Sequence, residues 1–161
     1  MKFICTLVVV EDISKSRKLY ETILNQKVLT DYGENIAFEG GFAIHKLDHF
    51  QGIICNKVIQ KKSNAFELYF EDDDLEGIET KLQNEELEFI HQIIEQPWRQ
   101  KVLRFYDYDK NLIEIGESME HVAFRLYKEG KTKNEISSIT YLSIEKIDAA
   151  LVSYGQHYES A

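Results

Sequence analysis

The sequence predicts an α+β protein, built from paired β-α-β-β-β modules and closed by an all-helical segment. Three observations carry this. Runs with strand-like alternation fill most of the first 118 residues, one amphipathic helix follows the first strand of each half, and beyond Glu117 the apolar spacing is helical. The order strand, acidic cap, helix and three strands occurs twice, although the halves share little sequence.

Phe3 to Val10 is rich in β-branched residues and reads as a buried strand. Asp12 or Ser14 caps a helix of roughly Lys15 to Leu24, with Ser16, Leu19, Tyr20 and Ile23 at helical spacing. Lys27 to Tyr32, Ile36 to Glu39 and Phe42 to Leu47 read as short strands, broken at Gly33 and at Gly40-Gly41. Residues 48–64 show no period and read as a connection. Ala65 to Glu71 is the strand that opens the second module. Asp72, Asp73 and Asp74 precede a helix that ends near Asn84, and acidic side chains suit the positive end of a helix dipole. Leu87 to Glu95, Lys101 to Tyr106 and Leu112 to Gly116 complete that module. In the last segment Met119, Val122, Ala123, Leu126 and Tyr127 mark one helix, which Gly130 can end. Thr132 caps a second helix with Ile136 and Ile139, and Ser143 a third with Ile144, Ile147, Ala150 and Leu151. The division this implies is 1–118 for the paired modules and 119–161 for the helical extension.

Composition narrows the function. A hydrophobic fraction of 43%, with nine Phe and nine Tyr, supplies a core for one domain of 161 residues. A formal charge of −9 argues against general binding to nucleic acid or to anionic membranes. No apolar run is long enough to span a bilayer, and the opening MKFICTLVVVED reads as a strand, not as a signal peptide. Two cysteines, Cys5 and Cys55, are too few for a disulfide framework, which fits a reduced, cytoplasmic setting.

The stretch FYDYDKNLIEI, from Phe105 to Ile115, reads as strand, tight polar turn and strand. Glu114 stands on the face opposite Ile113 and Ile115, so its carboxylate meets either solvent or a polar cavity. Strand parity likewise sets Cys5, Leu7 and Val9 on one face, and Glu67, Tyr69 and Glu71 on one face. Arg104 and Tyr106 share a parity, opposite Leu103 and Phe105. Arg104 can meet an anion as a fixed fork of donors, or instead neutralise nearby carboxylates. Glu71 to Asp74 reads as a solvated turn and helix cap, because its spacing does not fit a calcium loop.

Three stretches resemble the vicinal oxygen chelate superfamily of glyoxalases, bleomycin-resistance proteins and dioxygenases: CTLVVVEDISKSRKLYETIL, FELYFEDDDLEGI and FYDYDKNLIEI. The resemblance covers about residues 3–118. It implies that the two modules curl into a half-open cup with helices outside. It further implies that three or four cup-lining residues hold a divalent metal ion (Zn, Ni, Mn or Mg) acting as a Lewis acid. The ligand positions of the family fall on Cys5, Glu67 and Glu114, with His45 as an added ligand. Glu114 and Arg104 then carry the chemistry, and Arg104, Tyr69 and Tyr106 bind the substrate. The chain departs from the family pattern at Cys5, where His is usual, and at Tyr108 and Lys110, where Pro and Gly are usual.

Three functions are compatible with this reading. The first is a metal-dependent lyase or isomerase of glyoxalase type. The second is a metal-free, dimeric protein that binds a small molecule or drug, as bleomycin-resistance proteins do. The third is a ligand-sensing regulator that works through its helical tail, since KTKNEISSITYLSIEKIDAAL resembles a helix-turn-helix core. Glu129, Glu135 and Glu145 dilute the lysines there, which favours packing or dimer contact over DNA reading.

Overall fold

The structure, a computed structural model, describes residues 1–159, with side chains described through residue 155. Of the expected 119–161 extension, residues 160 and 161 lie outside the described residues. The strands are β1 (Thr6–Val10), β2 (Val28–Asp31), β3 (Asn35–Phe38), β4 (Phe42–Lys46), β5 (Glu67–Glu71), β6 (Glu88–Glu95), β7 (Lys101–Tyr106) and β8 (Leu112–Gly116). The α-helices are α1 (Ile13–Arg17), α2 (Leu47–Ile53), α3 (Leu75–Asn84), α4 (Met119–Lys128), α5 (Lys133–Thr140) and α6 (Ile144–Glu159). Two four-stranded sheets result, ordered β1-β4-β3-β2 and β5-β8-β7-β6. The doubled element order of the sequence is thus also a doubled strand order. No helix among the described residues is long and apolar enough to cross a membrane.

The chain divides into two compact units. One comprises Met1–Leu68, Thr80–Phe89 and Phe105–Ile113, the other Tyr69–Glu79, Ile90–Arg104 and Glu114–Ala161.

In the first unit β1 runs parallel to β4, with Val8 opposite Ile44 and Val9 opposite His45. Val8, Val10, Leu19, Ile36, Phe38, Phe42 and Ile44 are buried. Phe38 stacks on Phe42 with ring centroids 4.7 Å apart, and Tyr20 tilts against Phe42 at 5.4 Å. Each such side chain gains about 1.5–3 kcal/mol by leaving water. Asp12 caps α1 by accepting from the Lys15 N–H at 2.9 Å. The helix then widens into a π-helical turn over Lys18–Ile23, and the Leu24 N–H reaches back to the Leu19 carbonyl at 2.9 Å.

The turn after β7 belongs to this unit and is tied down by its own acid. Asp107 is 1% exposed and accepts four hydrogen bonds. Oδ1 takes the N–H groups of Asp109 and Asn111 at 2.9 and 2.8 Å. Oδ2 takes the Tyr20 hydroxyl and the Asn111 amide, both at 2.9 Å. Asn111 also donates to the Val9 carbonyl at 3.1 Å, and Asp109 accepts from the Glu11 N–H at 3.0 Å. The DYDKN turn is therefore a lock joining the π-helical turn, the end of β1 and its own hairpin. Lys110 holds the left-handed conformation (φ +70°) that Gly adopts at lower cost.

In the second unit Asp74 caps α3 by accepting from the Gly77 N–H at 3.0 Å. Val122, Ala123, Leu126, Ile136, Ile147 and Ala150 form the core shared by α4, α5 and α6. Thr132 and Glu135 make a reciprocal capping box at the start of α5. Tyr141, at φ +61°, turns the chain toward α6, and Ser143 accepts from the Lys146 N–H at 3.3 Å.

Two differences from the sequence reading stand out. The connection expected at residues 48–64 contains α2, a seven-residue helix beginning at Leu47. The first helix starts two residues earlier, at Ile13, and changes type at Lys18.

Candidate functional site

The second unit carries a polar face built around Gly116. A Cβ there would stand 3.0 Å from Gln100 Nε2, 3.1 Å from Val102 Cγ1 and 3.3 Å from Tyr69 Cε2. Glycine at the end of β8 thus lets the Tyr69 ring lie close against that strand. Gln100, 5% exposed, donates from Nε2 to the Tyr69 hydroxyl at 2.8 Å and to the Glu117 carbonyl at 2.7 Å. Its Oε1 accepts from the Trp98 indole N–H at 2.9 Å. The Tyr69 hydroxyl in turn donates to Glu71 at 3.0 Å. Burial, and then the bond to Glu71, push the Tyr69 hydroxyl up to about 12. Tyr69 stays partly exposed, with its hydroxyl held between Gln100 and Glu71.

Arg104 on β7 and Glu114 on β8 form an ion pair. Both fall on the parity of Val102 and Gly116, so they share this face. The Glu114 side chain is 8% exposed and that of Arg104 26%. The charge of Arg104 lies beside Glu114 Oε2, which has no aligned hydrogen bond of its own. Arg104 Nη1 also lies 3.4 Å from His91 Nε2. A buried carboxylate beside a guanidinium remains charged at far lower cost than an unpaired one.

The other candidates lie in the first unit. Cys5 precedes β1 as a half-buried free thiol. Glu67 opens β5, half-buried, and lines a cleft of about 280 Å³ with Asn64, Ala65, Phe66 and Leu112. Tyr106 is buried and donates to Asn64 Oδ1 at 2.7 Å, with the Lys62 ammonium 5.0 Å from its ring centre. His45 is 7% exposed, with Nδ1 3.0 Å from Asn35 Nδ2 and Nε2 2.7 Å from His49 Nδ1. Burial, and then the neighbouring His49, lower its proton affinity.

Of the residues singled out in the sequence, Arg104 and Glu114 are brought into contact, and Tyr69 shares their unit and face. Among the described residues, no three or more His, Cys, Asp or Glu side chains gather as a metal-holding group. Glu114 instead faces a resident organic cation.

Sequence reasoning missed Gln100, Gly116, Asn35 and His49. Gly116 was legible only as the end of a strand. The His45–His49 spacing was also visible, but it falls where the chain reads as an aperiodic connection.

Comparison with known proteins agrees with this architecture. The glyoxalase-like domain family matches residues 3–120. A protein of unknown function from Agrobacterium tumefaciens str. C58 is 36% identical, over 73% of this chain and 94% of that one, with a TM-score of 0.65. A glyoxalase-related enzyme from Fulvimarina pelagi shares the fold at 13% identity, over 70% and 86% of the two chains, with a TM-score of 0.60. So does a glyoxalase/bleomycin resistance protein/dioxygenase family enzyme from Burkholderia phytofirmans, at 12% identity, over 73% and 98%, with a TM-score of 0.60. No curated protein matches the chain. From the family match over most of its length, and the doubled strand order that accompanies it, the chain belongs to the glyoxalase-like domain family of the vicinal oxygen chelate superfamily.

Proposed function

We propose that this glyoxalase-like protein binds a small organic molecule on the Tyr69–Arg104 face, and that the binding needs no metal. The observation that supports this best is the pairing of a buried carboxylate, Glu114, with a partly exposed guanidinium, Arg104. A guanidinium is a rigid planar fork of N–H donors that matches carboxylate and carbonyl acceptors in fixed geometry. Held by Glu114, it is pre-oriented toward a hydrogen-bond acceptor. Tyr69 adds an aromatic wall whose hydroxyl is positioned by Gln100 and Glu71. The ligand class is accordingly a molecule with an apolar or aromatic body and a carboxylate or carbonyl acceptor. This is the binding-protein reading of the fold, as opposed to a metal-dependent lyase or isomerase with Cys5, His45, Glu67 and Glu114 as ligands. We read 1–118 as the binding domain, with 119–161 as a packed extension and not a DNA reader, and the protein as a homodimer.

The test is a thermal-shift and calorimetric screen of aromatic carboxylates, run with and without EDTA. Binding should survive the chelator, and should fall at least tenfold in Arg104→Met and in Tyr69→Ala. Loss of all binding in EDTA, restored by Zn²⁺, Ni²⁺, Mn²⁺ or Mg²⁺, would overturn the metal-free reading. Sedimentation or light scattering of the same samples gives the oligomeric state.

A further inference from the structure

Trp98, the only tryptophan of the chain, stands in the turn between β6 and β7 and is 40% exposed. Its indole N–H donates to Gln100 Oε1 at 2.9 Å, and Nε2 of the same amide donates to the Tyr69 hydroxyl at 2.8 Å. One buried side chain thus anchors two partly exposed aromatic residues. The amide is itself held one way round, because Nε2 also donates to the Glu117 carbonyl at 2.7 Å, a partner that its oxygen could not serve. The turn is equally fixed. The Gln96 N–H donates to the Gln100 carbonyl and the Arg99 N–H to the Gln96 carbonyl, each at 2.8 Å. Arg99 holds φ +68°, pairs with Glu95 and Glu129, and offers its carbonyl to Arg125 Nη2 at 2.6 Å. An indole on so rigid a support loses little freedom when a ligand settles on it.

We propose that Trp98 is the far wall of the ligand site, and that the ligand is an elongated aromatic carboxylate of two or three rings. Its acceptor lies on Arg104 and its distal ring against Trp98. The proposal rests on the Tyr69–Arg104 face as the binding site and narrows what that face takes. Two observations carry it. The polar atoms of both aromatic residues are already engaged: the Trp98 N–H goes to Gln100, and the Tyr69 hydroxyl donates to Glu71 while accepting from Gln100. What each has left to offer is chiefly ring carbon, which recognises a flat apolar surface by stacking. The second observation is spacing. Arg104 lies four residues on from Gln100, the anchor of the indole, which is about 13 Å along extended chain. A molecule that meets both the guanidinium and the indole is therefore long as well as flat, and a single ring falls short. All of these side chains belong to the second unit.

The test is calorimetric titration of the full chain with benzoate, naphthalene-2-carboxylate and anthracene-2-carboxylate. Affinity should rise about tenfold from the one-ring to the three-ring acid. Trp98→Ala should abolish that rise while leaving benzoate within about twofold, and Trp98→Phe, which keeps a ring, should retain most of it. A role in stability alone would not separate the two acids in this way. In the proton NMR spectrum the single indole N–H resonance should shift with the three-ring acid and stay in place with benzoate. Equal affinities across the series, a rise that survives Trp98→Ala, or an indole resonance that no acid moves would each overturn this proposal while leaving the Tyr69–Arg104 reading in place. Failure of all three acids to bind would overturn both.

Discussion

Arg125 meets Glu117 side-on, Nε lying 3.1 Å from Oε1 and Nη2 2.9 Å from Oε2. Glu117 is 2% exposed and also accepts the Lys101 N–H at 2.8 Å, while Arg125 Nη2 donates to the Arg99 carbonyl at 2.6 Å. Burial pulls the Arg125 proton affinity down, but the bond to Glu117 and the surrounding carboxylates outweigh it and raise it. One bidentate pair thus fastens the first helix of the extension to the end of β8.

Removing one partner should therefore cost far more than removing both. Arg125→Met takes the guanidinium away from a buried carboxylate that keeps the Lys101 N–H and the nearby His121 ring, and should destabilise the protein by about 3 kcal/mol. The double variant Glu117→Gln with Arg125→Met should recover a large part of that loss. Urea unfolding of the four proteins of this cycle measures the coupling directly.

The acid in the hairpin lock gives a pH dependence of definite sign. Burial raises the carboxyl of Asp107 above its ordinary value, despite the hydrogen bonds it accepts. The folded state therefore holds that proton more tightly than the unfolded chain does. Between the ordinary aspartate value and the raised one, stability contributed by Asp107 grows as pH falls. Asp109, raised chiefly by burial, acts in the same direction. Wild type should gain stability relative to Asp107→Asn as pH is lowered from 7 toward 4. A difference that stays flat, or moves the other way, in urea melts across that range would contradict the lock.

Lys110 stands in a left-handed turn position and pairs with Glu88 at 3.1 Å on the surface. Relief of the backbone cost, about 1–2 kcal/mol, should exceed the extra chain entropy of glycine together with a weak surface pair. Lys110→Gly should raise stability by about 0.5 kcal/mol, and the β-branched Lys110→Val should lower it by about 1–2 kcal/mol. Thermal melts of the two variants decide this.

A methyl group at residue 116 fits only if Gln100, Val102 and Tyr69 each give by a few tenths of an ångström. Gly116→Ala should cost about 1–3 kcal/mol through overpacking. Adding Tyr69→Ala to it should restore part of the loss, because the ring is one of the atoms in the way. Near-ultraviolet circular dichroism of Gly116→Ala should show the displaced aromatic environment.

The doubled element order could be read before any coordinates because it is local: alternation, caps and glycine breaks lie within short windows. Thr132, Ser143 and the three-residue turn between α5 and α6 were visible for the same reason. α2 was not, since LDHFQGI is too short for a period to emerge and is held by contacts His45 and Phe50 make in space. Parity placed Arg104 and Glu114 on polar faces, but their pairing depends on how β7 and β8 lie alongside each other. The Asp107 lock shows the reverse case. Its residues were conspicuous as a motif, yet only the Tyr20 and Val9 contacts reveal that the motif serves cohesion.

A π-helical turn is an α-helix carrying one surplus residue. Over Lys18–Ile23 that surplus sets the azimuth at which the Tyr20 hydroxyl leaves the helix to reach Asp107. Excising a single residue there would let an ordinary helix close up, with its amide ladder intact. It would also change the azimuth of the side chains within the turn itself, Tyr20 among them. Length variation among related chains at this point should therefore travel with the identity of the hairpin acid, two positions far apart along the polypeptide behaving as one.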